Sequence, residues 1–248
     1  SAGDFNGDGY GDVISGANLN DDGGANSGRA YIYFGAGIPD NSADVILTGA
    51  ASNDQFGYSV SYAGDVNGDG YSEVIVGAPF NDDGSADAGK AYVYFGGSVP
   101  DNTADVAFTG AVAGDQFGTS VSSAGDINGD GFTEVIAGAN LYDVGGLHTG
   151  RAYVYFGAAN SEMDNAADVI LTGIAAGDQF GFSVSSAGDM NGDGYSDLMS
   201  GAILNDAGGL SAGRVYIYLN SMTGTDIADE FFTAESAGDE FGFSISSA

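Results

Sequence analysis

The sequence has no cysteine, only 4 Lys and Arg, 3 prolines and 1 histidine among its 248 residues. Without cysteine there is no disulfide framework and no thiol catalysis. So few cations exclude nucleic-acid binding as the expected function, because that binding neutralises phosphates with Lys and Arg. Anionic membrane surfaces are disfavoured for the same reason. No apolar run approaches membrane-spanning length. No signal peptide is visible, and Ser1 opens within a motif without an initiator Met, as expected of a mature product or of part of something longer. Catalysis has no candidate residues either. His148 has no repeat counterpart, and no serine nucleophile motif, zinc motif or phosphate loop is present. Paired carboxylates abound, but none is set apart from its partner as a glycosidase pair requires.

What the chain does contain is acid and glycine. There are 35 Asp and Glu, a formal charge of −31, and 44 glycines. Only six of the acids are Glu. Helix surfaces favour Glu, Lys and Gln, so an Asp- and Gly-rich chain argues for tight turns between short strands. Part of the negative charge serves solubility.

The acids follow a pattern. The motif D-x-N-x-D-G-x-x-[DE] occurs at 4–12, 65–73, 126–134 and 189–197, with starts 61, 61 and 63 residues apart. It places hard oxygen donors at alternate positions around a tight turn, which suits Ca²⁺. The expected ligands of the first loop are Asp4, Asn6, Asp8 and Asp12, with the carbonyl of Tyr10; Gly9 permits the turn. The second loop offers Asp65, Asn67, Asp69, Glu73 and the Tyr71 carbonyl. The third offers Asp126, Asn128, Asp130, Glu134 and the Phe132 carbonyl, and the fourth Asp189, Asn191, Asp193, Asp197 and the Tyr195 carbonyl. An EF-hand needs a Glu at position 12 and flanking helices, whereas here the last acid comes at position 9 and enters a strand. A plain hairpin turn would account for Asn-Gly and Asp-Gly, but not for an acid at positions 1, 5 and 9 of every copy. One Ca²⁺ per loop, four in all, is expected, in a structural role.

Around each loop the same runs recur. In the second unit a first run covers Phe56 to Ser61, a second Glu73 to Pro79, a third Lys90 to Gly96 and a fourth Asp105 to Gly110. Each is bounded by Gly, Asn, Asp or Pro, and no segment has the length and period of a good helix. Tandem four-stranded units are the sequence form of a β-propeller. The chain starts just after a first strand and ends with one, so residues 241–248 are expected to complete the first blade and spare the ring an open edge. The expected fold is all-β, a propeller of four four-stranded blades forming one domain over 1–248. Its units are approximately 241–248 with 1–49, then 50–110, 111–173 and 174–233.

Phe56-Gly57, Phe117-Gly118, Phe180-Gly181 and Phe241-Gly242 recur in fixed order with Gly16-Ala17, Gly77-Ala78, Gly138-Ala139 and Gly201-Ala202 and the acidic loops between them. Over nearly the whole chain this resembles the FG-GAP repeat family, the blade type of the integrin α-subunit propeller. Only the second unit completes the triplet, with Pro79; the others carry Asn18, Asn140 and Ile203. The resemblance implies Ca²⁺ loops between first and second strands on one face, and a ligand on the opposite face. Propellers of that family usually have seven blades. A compact four-bladed ring, a ring of two chains and part of a longer array all stay open.

Other repeated residues have a functional and a plain reading. Arg29, Lys90, Arg151 and Arg214 share one repeat position; they form a cationic ring for an anionic ligand or, as is favoured in so acidic a chain, one ion pair per blade. The pairs Tyr31 and Tyr33, Tyr92 and Tyr94, Tyr153 and Tyr155, and Tyr216 and Tyr218 put two rings on one sheet face; packing between blades is favoured over sugar stacking. Asp21, Asp22, Asp82, Asp83, Asp143 and Asp206, with Asp54, Asp115, Asp178 and Asp239, fall in loops expected opposite the calcium loops. They form a second cation site, a ligand rim or, by default, solvated turns.

The function expected is non-enzymatic: a calcium-stabilised extracellular module, secreted or on the cell surface, for adhesion to a protein or glycan. It has no nucleic-acid partner and no membrane insertion. Self-assembly by donation of the C-terminal strand, and a propeller module of a larger secreted enzyme, are the alternatives.

Overall fold

The computed structural model describes residues 1–38, 40–143, 148–159, 163–219 and 227–247. Among these, fifteen β-strands form four antiparallel sheets in strict chain order. The first sheet holds β1 (Val13–Ala17), β2 (Arg29–Tyr33) and β3 (Val45–Thr48). The second holds β4 (Ser59–Gly64), β5 (Glu73–Ala78), β6 (Lys90–Tyr94) and β7 (Val106–Thr109). The third holds β8 (Ser120–Gly125), β9 (Glu134–Ala139), β10 (Arg151–Tyr155) and β11 (Val169–Thr172). The fourth holds β12 (Phe180–Gly188), β13 (Asp197–Ala202), β14 (Arg214–Tyr218) and β15 (Glu230–Thr233). Four such antiparallel sheets in series are consistent with a four-bladed propeller.

The core lies in layers between successive sheets. Ile14, Ile32 and Leu47 of the first sheet pack with Val74, Val76 and Tyr94 of the second. Ile75, Val93 and Phe108 meet Val121, Val135 and Tyr155, and Ile136, Val154 and Leu171 meet Val184, Leu198 and Tyr218. The second strands are sandwiched on both faces; every residue of β5 and β9 is buried. A strand covered on both faces loses polar alternation and reads as a continuous apolar run, as Val74, Ile75 and Val76 do.

Phe-Gly locks one sheet to the next. Phe56, Phe117 and Phe180 are at most 2% exposed and bridge Gly28, Gly89 and Gly150 of the preceding sheet in parallel fashion. Each ring meets two tyrosines edge-on: Tyr92 and Tyr94, Tyr153 and Tyr155, and Tyr216 and Tyr218, with centroids 5.4–6.3 Å away. The tyrosine pairs of these three sheets thus serve packing between sheets. At Gly89, with φ +84°, a Cβ would lie 2.1 Å from the Phe117 carbonyl oxygen, so only glycine fits.

The completion of the first blade differs from expectation. Its sheet has three strands, and among the described residues 241–247 form no ladder with β1. One half of the expected arrangement is present: Phe241 bridges Gly213 as its counterparts bridge theirs. The pairing to β1 is missing, and Phe241 is 41% exposed. Likewise Phe232 of β15 is 52% exposed, whereas Leu47, Phe108 and Leu171 at the same repeat position are buried under the next sheet. Among the described residues no helix is long and apolar enough to cross a membrane.

Candidate metal centres

The first acidic loop leads into β1, and the second, third and fourth join the first strand of their sheet to the second. A bulge before each of these three, between Tyr62 and Gly64, Ser123 and Gly125, and Ser186 and Gly188, turns the chain out of the ladder. The loop then winds round its own first aspartate. In the second loop the Asp65 carboxylate accepts N–H bonds from Gly68 (2.7 Å), Asp69 (3.1 Å) and Gly70 (3.0 Å). Asn67 Oδ1 accepts from Asp69 N–H at 2.9 Å, and Asp69 Oδ1 from Tyr71 N–H at 2.9 Å. The winding recurs in the other loops, where Gly9, Gly131 and Gly194 donate to Asp4, Asp126 and Asp189, each at 3.0 Å. Asn6, Asn128 and Asn191 accept from the N–H of Asp8, Asp130 and Asp193. Those aspartates in turn accept from Tyr10, Phe132 and Tyr195. In each loop the first, third and fifth residues, three of the donors expected from the sequence, therefore share one hydrogen-bonded turn.

The second and third loops close into tighter groups. Asp65, Asp69 and Glu73 each bring a carboxylate oxygen within 4.8 Å of the others, as do Asp126, Asp130 and Glu134. Glu73 and Glu134 are 0% exposed. Glu73 Oε2 accepts Val66 N–H at 2.7 Å, while its Oε1 is buried with no hydrogen-bond partner. Glu134 Oε2 accepts Ile127 N–H at 2.7 Å and its Oε1 accepts Asn128 Nδ2–H at 3.3 Å. Burial, then repulsion from Asp69 and Asp65, pushes the Glu73 carboxyl up to about 8 against the bond from Val66 and a weaker attraction to the Gly96 backbone, which does not reach hydrogen-bond geometry at Oε1. Burial, with Asp130 and Asp126, pushes Glu134 to about 8. An unpaired buried carboxylate oxygen among further carboxylates is costly by itself. An oxygen-only donor set of this charge fits a hard divalent cation such as Ca²⁺.

The first and fourth loops end in aspartate. Asp12 Oδ1 accepts Gly35 N–H and Oδ2 accepts Phe5 N–H, at 2.7 and 2.8 Å. Asp197 Oδ2 accepts Met190 N–H at 2.7 Å. A side chain one methylene shorter, held to the scaffold, does not reach the close grouping that Glu73 and Glu134 achieve. Asp4 Oδ1 is nevertheless buried without a partner, as Glu73 Oε1 is. The four equivalent loops of the sequence are thus of two kinds.

The cations also differ from blade to blade. Arg29 pairs with Asp22, and Lys90 with Asp83 at 2.5 Å. Arg151 lies over the Tyr142 ring at 3.8 Å, and Arg214 over Phe231 at 4.3 Å. Of the acids before each Phe-Gly, Asp54, Asp115 and Asp178 are buried instead of solvated. Asn81 donates to Asp54 at 2.7 Å and Asn205 to Asp178 at 2.6 Å. An Asn 27 residues downstream was the available signal. At the corresponding position the third unit has Tyr142, and burial followed by Asp143 pushes Asp115 up to about 6. Asp239 is exposed, as are Asp21, Asp82 and Asp206, whose carboxylates cap turns by accepting N–H bonds from Asn26, Asp87 and Ser211. His148 lies 3.9 Å from Asp143 on the surface.

Comparison with known proteins agrees with this architecture. The chain matches the FG-GAP repeat over 1–33, 56–94, 117–155 and 180–218. It is 30% identical to integrin alpha-PS2 of Drosophila melanogaster over 197 residues, which is 74% of this chain and 14% of the relative. It is 33% identical to human integrin alpha-7 over 167 residues, 66% of this chain and 14% of the relative. With mouse integrin alpha-IIb the identity is 30% over 163 residues, 63% of this chain and 16% of the relative. The chain therefore spans only about a sixth or less of the length of these relatives. With four repeats that each carry the acidic loop and the third-strand tyrosines, the chain belongs to the FG-GAP repeat family.

Proposed function

We propose that this chain is a calcium-stabilised, non-enzymatic binding module of integrin-α type that acts outside the cell. It meets a protein or glycan ligand through the face away from the acidic loops. The observation that carries the proposal is the buried, unpartnered Glu73 Oε1 in the cluster where Glu73, Asp65 and Asp69 carboxylates approach within 4.8 Å. Such a cluster is strained without a cation and suited to one that is abundant at millimolar levels outside cells. One Ca²⁺ per loop would be held by Asp4, Asn6, Asp8, Asp12 and the Tyr10 carbonyl in the first, and by the corresponding residues in the others. The ion would supply only charge balance and rigidity. The protein's part is to present the opposite loops, with Asp82, Asp143 and Asp206, in fixed register on repeated units divided near residues 50, 111 and 174. The integrin relatives support a binding role over a catalytic one.

The test is thermal melting in millimolar calcium and in excess chelator, followed by glycan and extracellular-matrix protein arrays under both conditions. A higher melting temperature in calcium, with ligand capture that chelator abolishes, is the expected result. An unchanged melting curve would refute the calcium role, and capture that persists in chelator would refute the link between calcium and binding.

A further inference from the structure

The acidic loops touch one another. Asp4 N–H donates to Ser72 Oγ at 3.0 Å, and Ser72 N–H donates to the Asp4 carbonyl at 3.1 Å. The carbonyl of Asp65 accepts from Thr133 N–H at 3.0 Å, and that of Asp126 from Ser196 N–H at 2.8 Å. At each of these three junctions the first residue of one loop is thus bonded to the eighth residue of the next. The fourth and seventh residues meet as well. A Cβ on Gly7 would lie 2.3 Å from the Tyr71 ring, one on Gly68 2.5 Å from Phe132, and one on Gly129 2.4 Å from Tyr195. A further pair of bonds runs from Gly97 and Ala158 N–H to the Phe5 and Val66 carbonyls, both at 2.9 Å.

These contacts use atoms next to the proposed ligands. Asp4, Asp65 and Asp126 open their loops, and Tyr71, Phe132 and Tyr195 carry the proposed carbonyl donors. The Tyr71 carbonyl and the Ser72 N–H that holds Asp4 belong to one peptide unit. We propose that the calcium loops are coupled in series. An ion that orders one loop builds the seat on which the aromatic ring and following N–H of the next loop rest, so calcium binds with positive cooperativity along the chain.

The physical cause is differential stability. Without a cation the carboxylates of a loop repel, and the loop populates conformations in which its first four residues no longer form the seat. A cation selects the wound form. The next loop then binds its own ion without meeting the full cost of ordering residues seven and eight. Coupling of this kind is reciprocal, so the later loop stabilises the earlier one by the same factor. Tyr71, Phe132 and Tyr195 become positioning residues that transmit occupancy.

This inference rests on the calcium reading above, and the experiment separates the two. Calcium is titrated calorimetrically into the intact chain and into Asp8→Ala. Asp8 is exposed, and its side-chain bonds to Asn6 and Tyr10 stay within its own loop. The expected result is loss of one site together with a fall of about five-fold or more in the affinity of a remaining site, the range typical of coupled sites. Tyr71→Ala, which keeps the backbone carbonyl, should flatten the cooperative isotherm, and Tyr71→Phe should restore it. If Asp8→Ala removes one site and leaves the affinities of the others unchanged, the coupling is overturned while the calcium reading stands. If the intact chain takes up no calcium, both are overturned.

Discussion

Replacing Glu73 by glutamine should stabilise the calcium-free protein in alkali and destabilise the calcium-loaded one. The side chain is 0% exposed, and its carboxyl is raised from an ordinary 4.5 to about 8, chiefly by burial and next by Asp69 and Asp65. Between those two values the native state keeps a proton that the unfolded chain has released, so stability falls as pH rises through the window. Each tenfold weakening of the acid corresponds to about 1.4 kcal/mol, so full ionisation of Glu73 costs on the order of 4–5 kcal/mol. For a chain of this size about 1 kcal/mol moves the melting temperature by roughly 2–4 °C. The Glu73→Gln variant has no proton to lose there, and its amide oxygen can still accept the Val66 N–H bond. In excess chelator at about pH 9 it should therefore melt roughly 8–20 °C above the parent. At about pH 4, below the ordinary value, where Glu73 is protonated in the folded state and mostly so in the unfolded chain, the two should melt together. In millimolar calcium the order should reverse, because the variant lacks one carboxylate ligand. Circular-dichroism melts at the two pH values, with and without calcium, decide the matter. A variant less stable than the parent in chelator at both pH values would show that the bond from Val66 outweighs the strain, and the account of the site would be wrong.

Two further substitutions probe the scaffold. Gly89→Ala drives a Cβ to 2.1 Å from the Phe117 carbonyl at φ +84° and should cost about 3 kcal/mol or more in urea unfolding, whereas Gly97→Ala, with open space around it, should stay within about 0.5 kcal/mol. Asp83→Ala removes the partner of Lys90, but the Asp83 side chain is 62% exposed, so the loss should be under about 1 kcal/mol and should shrink further in high salt.

The sheets were legible because their signals are local. Short β-rich runs, Gly-Asn-Asp boundaries and a repeat of near-constant length place strand after strand, and consecutive strands so closely spaced pair as antiparallel neighbours. The acidic loops were legible because alternate oxygen donors around a turn have few other uses. What escaped the sequence depends on reach and on partners far along the chain. Asp and Glu at the ninth position look interchangeable on paper, yet among the described residues only Glu73 and Glu134 reach the close carboxylate groups. Asp54 and Asp178 look like turn residues until Asn81 and Asn205 are seen to bond them in the interior. The four cations share a repeat position, but their partners depend on whether a neighbouring loop supplies an aspartate, as at Asp22 and Asp83, or an aromatic ring, as at Tyr142. The pairing of residues 241–247 with β1 follows from repeat logic alone, and that logic does not contain the geometry needed to bring the two together.

The boundaries of the family match have a physical reason. The last three matched stretches begin at Phe-Gly, and all four stop at the end of the third strand, after Tyr33, Tyr94, Tyr155 and Tyr218. The fourth strands lie outside it. A fourth strand pairs on one side only and needs little from its sequence. In β3, Val45 and Leu47 are buried while Ile46 and Thr48 are exposed, and at the Leu47 position the chain accepts Leu47, Phe108, Leu171 or Phe232. In the first three sheets a large apolar side chain, Leu or Phe, fills that place. The matched region is constrained differently, because its junctions are made by backbone: Phe117 N–H to the Ala88 carbonyl, Gly118 N–H to the Gly138 carbonyl, and Thr133 N–H to the Asp65 carbonyl, each at 2.9–3.0 Å. Where main chain approaches this closely there is no room for a Cβ on the facing residue, as at Gly89 and Gly138, so glycine becomes obligatory at fixed positions. The acidic loop adds its own fixed spacing. The recognisable repeat is therefore the part of the blade where main chain meets main chain, and one of these junctions, from Thr133 to Asp65, is also among those proposed above to couple one acidic loop to the next.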